Sequence, residues 1–241
     1  PRTFPAAGRG PALGVRGGCR AVKRAVRSGA EMVSVVTVDL AEVALYAARL
    51  APDLEERVLE LCEEVSEEVF GQLVPRPPHT GLVAIARRPA PSGLRAGAPA
   101  VVLEQPQDLG NVGACIRVAA AAGAGGVVVT GRKDPSGPDA VRGSAGLHFA
   151  LPVLHDDALP EGRPLLAFDP DGEPFEPRSI GADALLAFGT ERDGLTDALK
   201  ERADQVVALP MEPGVSSLNL ATSVSAALYA WRLAGGAGSS A

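Results

Sequence analysis

No stretch of the chain reaches the ~18–20 consecutive apolar residues of a bilayer-spanning helix, which sets a helical membrane anchor aside. The opening PRTFPAAGRGPALGVRGGCR has basic residues but no apolar core leading to a cleavage site. It does not read as a secretory signal, and rather resembles a trimmed end. Cysteine is scarce: Cys19, Cys62 and Cys115 are scattered, odd in number and form no CxxC pair. A disulfide framework and a zinc site are both disfavoured, and a reducing cytoplasm is the natural setting. GxGxxG is missing, which makes NAD a poor candidate. Equally absent are a Ser–His–Asp order, a pair of carboxylates in one motif and a metal-ligating cluster. His79, His148 and His155 stand alone, and His148, beside Phe149, reads as a packed residue.

What is present is unevenly distributed. The net charge of −6 argues weakly against a nucleic-acid binder, yet residues 1–30 hold seven bases and no acid. Those bases (Arg2, Arg9, Arg16, Arg20, Lys23, Arg24 and Arg27) fit either a solvated arm or a phosphate-contacting surface. The acids crowd into DLEERVLELCEEVSEEVF, where Leu54, Val58, Leu61, Val65 and Val69 make a helical stripe and the glutamates its solvated face.

A Pro-, Gly- and Arg-rich stretch over residues 86–100 reads as a linker. The chain divides into a small α/β domain at 1–90, a linker at 91–98, a larger domain at 99–235 and a flexible tail at 236–241. In the larger domain the runs AVVLE, GVVVT, LPVL, LLAF, LLAF and VVALP lack polar alternation, as strands buried on both faces do. Helical patterns lie between several of them: NVGACIRVAAAAG, closed by Gly123, then TDALKERA, with Thr196 as its cap, and SSLNLATSVSAALYAW. The alternation predicts a doubly wound α/β parallel sheet.

In such sheets ligands bind beyond the carboxyl ends of the strands, which nominates EQPQDLGNVG, GTERDGL and MEPGVSSLN. Asp108 or Asn111 is placed to cap a helix. Arg117, two turns into that helix and without an acid at i±4, is either a surface arginine or a planar donor fork suited to phosphate. Glu191 stands in a loop, before the helix that Thr196 caps. Ser216 or Ser217 suits a cap, whereas the amide of Asn219, in the first turn, is available to a ligand.

Together NVGACIR, FGTERDGL and LPMEPGVSSLNLATSVSAALY resemble, in order and spacing, the three signature motifs of the SpoU/TrmH branch of the SPOUT methyltransferases. AVRGSAGLHFALPV is similar to a further stretch that the branch carries between its first and second motifs. The resemblance covers residues 98–231. It implies transfer of a methyl group from S-adenosylmethionine to an RNA ribose 2′-hydroxyl, by a homodimer whose C-terminal segment threads a deep trefoil knot. It places Asn111 and Arg117 in the first functional pair, Glu191 as the second motif's acid, and Ser217 and Asn219 as the third motif's polar pair. Gly189, Leu209, Met211 and Leu218 fall where the branch binds the cofactor. Free arginine, with a pKa above about 12, is a very poor base, so Arg117 is read as orienting the ribose and stabilising alkoxide charge. The small residues of SVSAALYAW answer to close packing of knot and partner subunit. The first domain, ending HTGLVAIARRP, resembles the small RNA-binding domain of ribosomal RNA members, which favours ribosomal RNA. Transfer RNA, or a non-catalytic RNA-binding protein of the same fold, are the alternatives; no metal or membrane is implied.

Overall fold

In the computed structural model of the protein, residues 12–15, 18–73, 78–90, 92–190 and 192–236 are described. They fall into two compact units, one of residues 1–90 with 136–150, the other of residues 91–135 with 151–241. The excursion 136–150 thus packs with the first unit, although it sits inside the stretch that the sequence assigns to the larger domain. No helix among the described residues is long and apolar enough to cross a membrane.

The first unit holds strands β1 (Ala12–Val15), β2 (Met32–Thr37), β3 (Cys62–Glu64) and β4 (Leu82–Arg87), in the order β1-β4-β2-β3. Its helices are α1 (Gly18–Arg27), α2 (Leu40–Leu50), α3 (Glu55–Leu61), α4 (Glu67–Leu73) and, from the excursion, α6 (Pro138–Ser144). Val22, Ala25, Val35, Val43, Val58, Leu82 and Ala84 form its core, and full burial of each Val or Leu stabilises the fold by about 1.5–3 kcal/mol. The single acidic helix expected over residues 53–70 is broken. Cys62–Glu64 leave the helix to pair in parallel with Val35–Thr37, and Ser66 then caps α4 by accepting from Val69 N at 3.3 Å. In the expected stripe only Val58 is buried; Val69 is 43% exposed and Phe70 takes the inward position. As expected, His148 is buried, its Nδ1 2.7 Å from Ser144 Oγ.

Three of the four bases of α1 have internal partners, and the fourth, Arg20, is exposed. Lys23 Nζ donates to Leu50 O at 2.6 Å, Arg27 forks onto both oxygens of Asp53 at 2.6 and 2.7 Å, and Arg24 reaches Ala145 O at 3.5 Å. Arg2, Arg9 and Arg16 lie outside the described residues.

The second unit is a six-stranded sheet of β5 (Ala100–Leu103), β6 (Gly126–Val129), β7 (Val153–His155), β8 (Leu165–Pro174), β9 (Leu185–Phe188) and β10 (Gln205–Ala208). The order is β10-β8-β9-β5-β6-β7 and every pairing is parallel. Burial follows position. AVVL, GVVV and both LLAF runs are wholly buried, while the edge strands β7 and β10 are only partly so. Ala100, Val102, Val128, Leu165, Ala167, Leu185 and Ala187 point to one face and meet Leu199 of α7 (Asp197–Arg202). Their alternates point to the other face by the two-residue period of a strand, where α5 (Leu109–Ala122) and α8 (Leu220–Trp231) lie against the sheet and each other. The result is the doubly wound parallel arrangement that the apolar runs predict.

β8 departs from expectation by running on through DPDGEP. β10 follows it only with a jump in register, Val206 opposite Ala167 and Val207 opposite Glu173. The intervening residues 168–172 bow out, and a Cβ on Gly172 would lie 2.6 Å from Val207 N, so the bow needs glycine at its base.

Candidate active site

All three nominated loops emerge at the carboxyl ends of the parallel strands. The first leads into α5, whose cap is Asp108: its Oδ1 accepts from Asn111 N at 2.8 Å. Gly123, at φ 76°, closes the same helix, donating to Ala119 O and Ala120 O in the left-handed geometry that glycine adopts without strain. The rigid helix holds Asn111 at its first turn and Arg117 two turns on. Arg117 is exposed and makes no ion pair or hydrogen bond among the described residues.

The third loop corrects one expectation. α8 begins at Leu220, and its cap is Asn219, not a serine; Asn219 Oδ1 accepts from Ala221 N at 3.0 Å. The N-cap position suits a short polar side chain whose oxygen reaches back to the first turn. The other end of the same amide donates from Nδ2 to Asn111 Oδ1 at 3.2 Å. Two motifs 108 residues apart are therefore joined by their asparagines. Ser217 and Leu218 precede the cap in an exposed loop, with Leu218 39% exposed.

The second loop is a tight turn. Thr190 N donates to Gly194 O at 3.0 Å and Gly194 N to Thr190 O at 3.2 Å, while Thr190 Oγ1 accepts from Asp193 N at 2.9 Å. Glu191 lies outside the described residues. Just before it, a Cβ on Gly189 would overlap the backbone of Gly194 and Leu195, so the strand end and the returning loop are in direct backbone contact. Thr196 caps α7 as expected, accepting from Leu199 N at 3.3 Å. Its own N–H and hydroxyl both donate to the buried Glu104 carboxylate, at 2.8 and 2.7 Å.

A cleft of about 460 Å³ lies between the second and third loops and the bow of β8. That volume is within the usual range for small-molecule sites, about 300–1,000 Å³. Gly189, Leu209, Met211, Ser217 and Leu218 line it, together with Phe168, whose ring stacks on Phe188 at 4.6 Å between centroids. Asn111, Asn219 and Arg117 are not among its lining residues. Asp169 and Lys200 also line the cleft, paired at 3.5 Å. Sequence reasoning passed over this pair and the bow that carries Asp169, although the rule that nominated the other loops applies equally to the end of LLAF at 165–168. The fit to S-adenosylmethionine rests on this mixed lining: apolar surface from Phe168, Leu209, Met211 and Leu218, a glycine permitting close backbone approach, and charged and hydroxyl groups among them.

Comparison with known proteins agrees with this geometry. The profile of the SpoU rRNA Methylase family matches residues 98–229. The chain is 33% identical over 180 residues to an uncharacterized tRNA/rRNA methyltransferase of Synechocystis sp., covering 68% of this chain and 65% of that one. It is 28% identical over 232 residues to the 23S rRNA (uridine(2479)-2′-O)-methyltransferase of Streptomyces viridochromogenes, covering 88% and 79%. The match thus spans slightly less than two thirds of the Synechocystis relative's length. Among solved structures, the SpoU methyltransferase AviRb from Streptomyces viridochromogenes in complex with AdoMet superimposes with a TM-score of 0.73 at 26% identity, over 93% of this chain and 91% of that one. An AdoMet-bound rRNA methyltransferase from Sinorhizobium meliloti gives 0.72 at 25% identity, over 93% and 88%.

Proposed function

We propose, because this chain belongs to the SpoU rRNA Methylase family, that it transfers a methyl group from S-adenosylmethionine to a ribose 2′-hydroxyl of ribosomal RNA. The observation that carries the reading is the hydrogen bond between Asn219 and Asn111, which ties the helix bearing Arg117 to the loop lining the cofactor-sized cleft. Ribosomal RNA is preferred because the Streptomyces viridochromogenes relative, matched over 88% of this chain, acts on 23S rRNA.

In this reading Gly189, Leu209, Met211 and Leu218 hold the cofactor, which when bound supplies an electrophilic methyl group on a sulfonium. Arg117, exposed on a capped helix, orients the ribose and its phosphate by a bidentate fork and stabilises charge developing on the 2′-oxygen. Asn111 and Asn219 fix that helix against the third loop, Ser217 offers a hydroxyl at the cleft, and Glu191 is the acid of the second motif. The protein's main contribution is positioning, since displacement needs the attacking oxygen about 3–3.5 Å from the carbon.

The proposal extends to a homodimer, a knotted C-terminal segment and a cytoplasmic setting. Support for the dimer comes from the small or apolar residues that α8 and the turn after it leave exposed: Thr222, Ala226, Tyr229 and Leu233, at helical spacing. The first unit is proposed as the RNA substrate domain on its helix–strand order; with Lys23, Arg24 and Arg27 already engaged, Arg20 is the exposed base that α1 leaves for it.

The test is transfer of labelled methyl into unmodified ribosomal and transfer RNA pools, with Arg117→Ala alongside. Label in ribosomal RNA, lost in the variant while cofactor binding and melting temperature hold, is the expected result. Label in transfer RNA alone would move the substrate class. Cofactor binding without label in either pool would overturn the enzymatic reading.

A further inference from the structure

The second unit has another, larger cleft, of about 920 Å³, bordered by the start of the first nominated loop, residues 104–107. It opens beyond the carboxyl ends of β5 and β6 and is walled by α7, on the sheet face opposite α5 and Arg117. Three cations line it, Arg132, Lys133 and Arg202, all exposed and none in an ion pair or hydrogen bond among the described residues. Its two carboxylates are committed elsewhere: Glu104 to both donors of Thr196, and Asp157 to Gly131 N at 2.7 Å.

This is unusual in a chain with 29 acids and 23 bases, where three of the four bases of α1 find internal partners. The cleft is also rigidly built. Gln105 takes a left-handed conformation at φ 46°, one that a non-glycine residue rarely adopts and that costs of order 1–3 kcal/mol. It is held there by its N–H on Thr130 Oγ1 at 3.1 Å and by its carbonyl, which accepts from Gln107 Nε2 at 2.8 Å. Among the described residues no aromatic ring lines the cleft, so these offer no platform on which a base would stack. What it offers is free positive charge in a concave polar surface, which focuses attraction on an anion.

We propose that this cleft takes the sugar–phosphate backbone of the RNA substrate, with Arg132, Lys133 and Arg202 on successive or neighbouring phosphates. The inference rests on the RNA methyltransferase reading above. It assigns to the cleft a positioning role without base readout, separate from the cofactor cleft and from Arg117.

The experiment measures binding of an unmodified 23S rRNA transcript across a series of KCl concentrations, with full-length protein. For R132A/K133A/R202A the slope of log K against log[KCl] should shrink by about 2, given roughly 0.7 per single-strand phosphate contact, and for K133A alone by about 0.7. Affinity for the transcript should fall at least tenfold in the triple variant and its KM should rise, while cofactor affinity stays within twofold. R132K/R202K should retain the wild-type slope, since charge is kept. Unchanged slope and affinity in both alanine variants, while wild-type protein methylates the transcript, would overturn the inference and leave the enzymatic reading intact. Wild-type protein that binds cofactor but neither binds nor methylates the transcript would overturn both.

Discussion

Replacing Gly189 by alanine adds one methyl group where the structure has no room for it. The new Cβ would overlap main-chain atoms of Gly194 and Leu195, and backbone cannot swing aside as a flexible side chain can. The turn must either strain or open. Overpacking of this kind costs about 1–3 kcal/mol. Opening forfeits the two Thr190–Gly194 hydrogen bonds, at about 0.5–1.5 kcal/mol each. Either route costs about 1–3 kcal/mol. Binding that needs the wild-type turn weakens by up to that amount, roughly 5- to 150-fold. Calorimetric titration with S-adenosylhomocysteine reads this directly. Gly194→Ala is the matched control, because its Cβ would meet nothing nearer than Asp169 Oδ2 at 4.0 Å and only its φ of +67° is unfavourable. That variant should lose about tenfold less affinity, and Gly194→Asn, which tolerates left-handed geometry, should recover most of it. Gly189→Asn should recover nothing. Affinity of Gly189→Ala within threefold of wild type, or a Gly194→Ala protein equally impaired, would refute the argument from overlap.

Glu104→Ala strips both acceptors from the Thr196 cap and should cost about 2–4 kcal/mol, lowering the melting temperature by roughly 5–12 °C; Glu104→Gln should lose about half as much, and an unchanged alanine variant would contradict the cap's dependence. Asn219→Ser keeps a capping oxygen but loses the donor to Asn111, so denaturant stability should hold within about 0.5 kcal/mol while single-turnover methyl transfer slows about tenfold, the equivalent of one hydrogen bond. Burial first, and then the neighbouring Cys19, push the Cys62 thiol up to about 11 from 9.0. The fold favours the neutral thiol, so this contribution is complete below pH 9 and is lost as pH rises toward 11. Urea midpoints over that interval should therefore fall more steeply for wild type than for Cys62→Ser, and parallel curves would count against it.

Residues whose surroundings are local were readable from the sequence, and those decided by distant partners were not. AVVL, GVVV and the two LLAF runs carry their burial in their own composition, so the parallel sheet followed from them, as did Gly123 and Thr196 as helix ends. The break at Cys62 escaped because its cause is pairing with Val35, across 26 intervening residues of chain. The bases of α1 looked free because Asp53, Leu50 and Ala145 come to them only in the fold, the last from 121 residues away. Asn219 was placed two or three positions too deep in its helix because Ser216, Ser217 and Asn219 are all good caps, and the hydrogen bond to Asn111 favours the last. Of the larger cleft only the EQPQ rim was marked, as part of the first nominated loop: Arg132, Lys133 and Arg202 acquire meaning only by facing one hollow.

The chain segment from Gly189 to Arg202 borders both clefts, the smaller through its tight turn and the larger through α7, and Glu104 pins it between them. On the proposed function, this shared wall is a physical route by which occupancy of one cleft biases the other. To whatever factor cofactor in one cleft tightens the grip on RNA in the other, RNA must tighten the grip on cofactor by the same factor. That reciprocity is one of affinities and dictates no order of release.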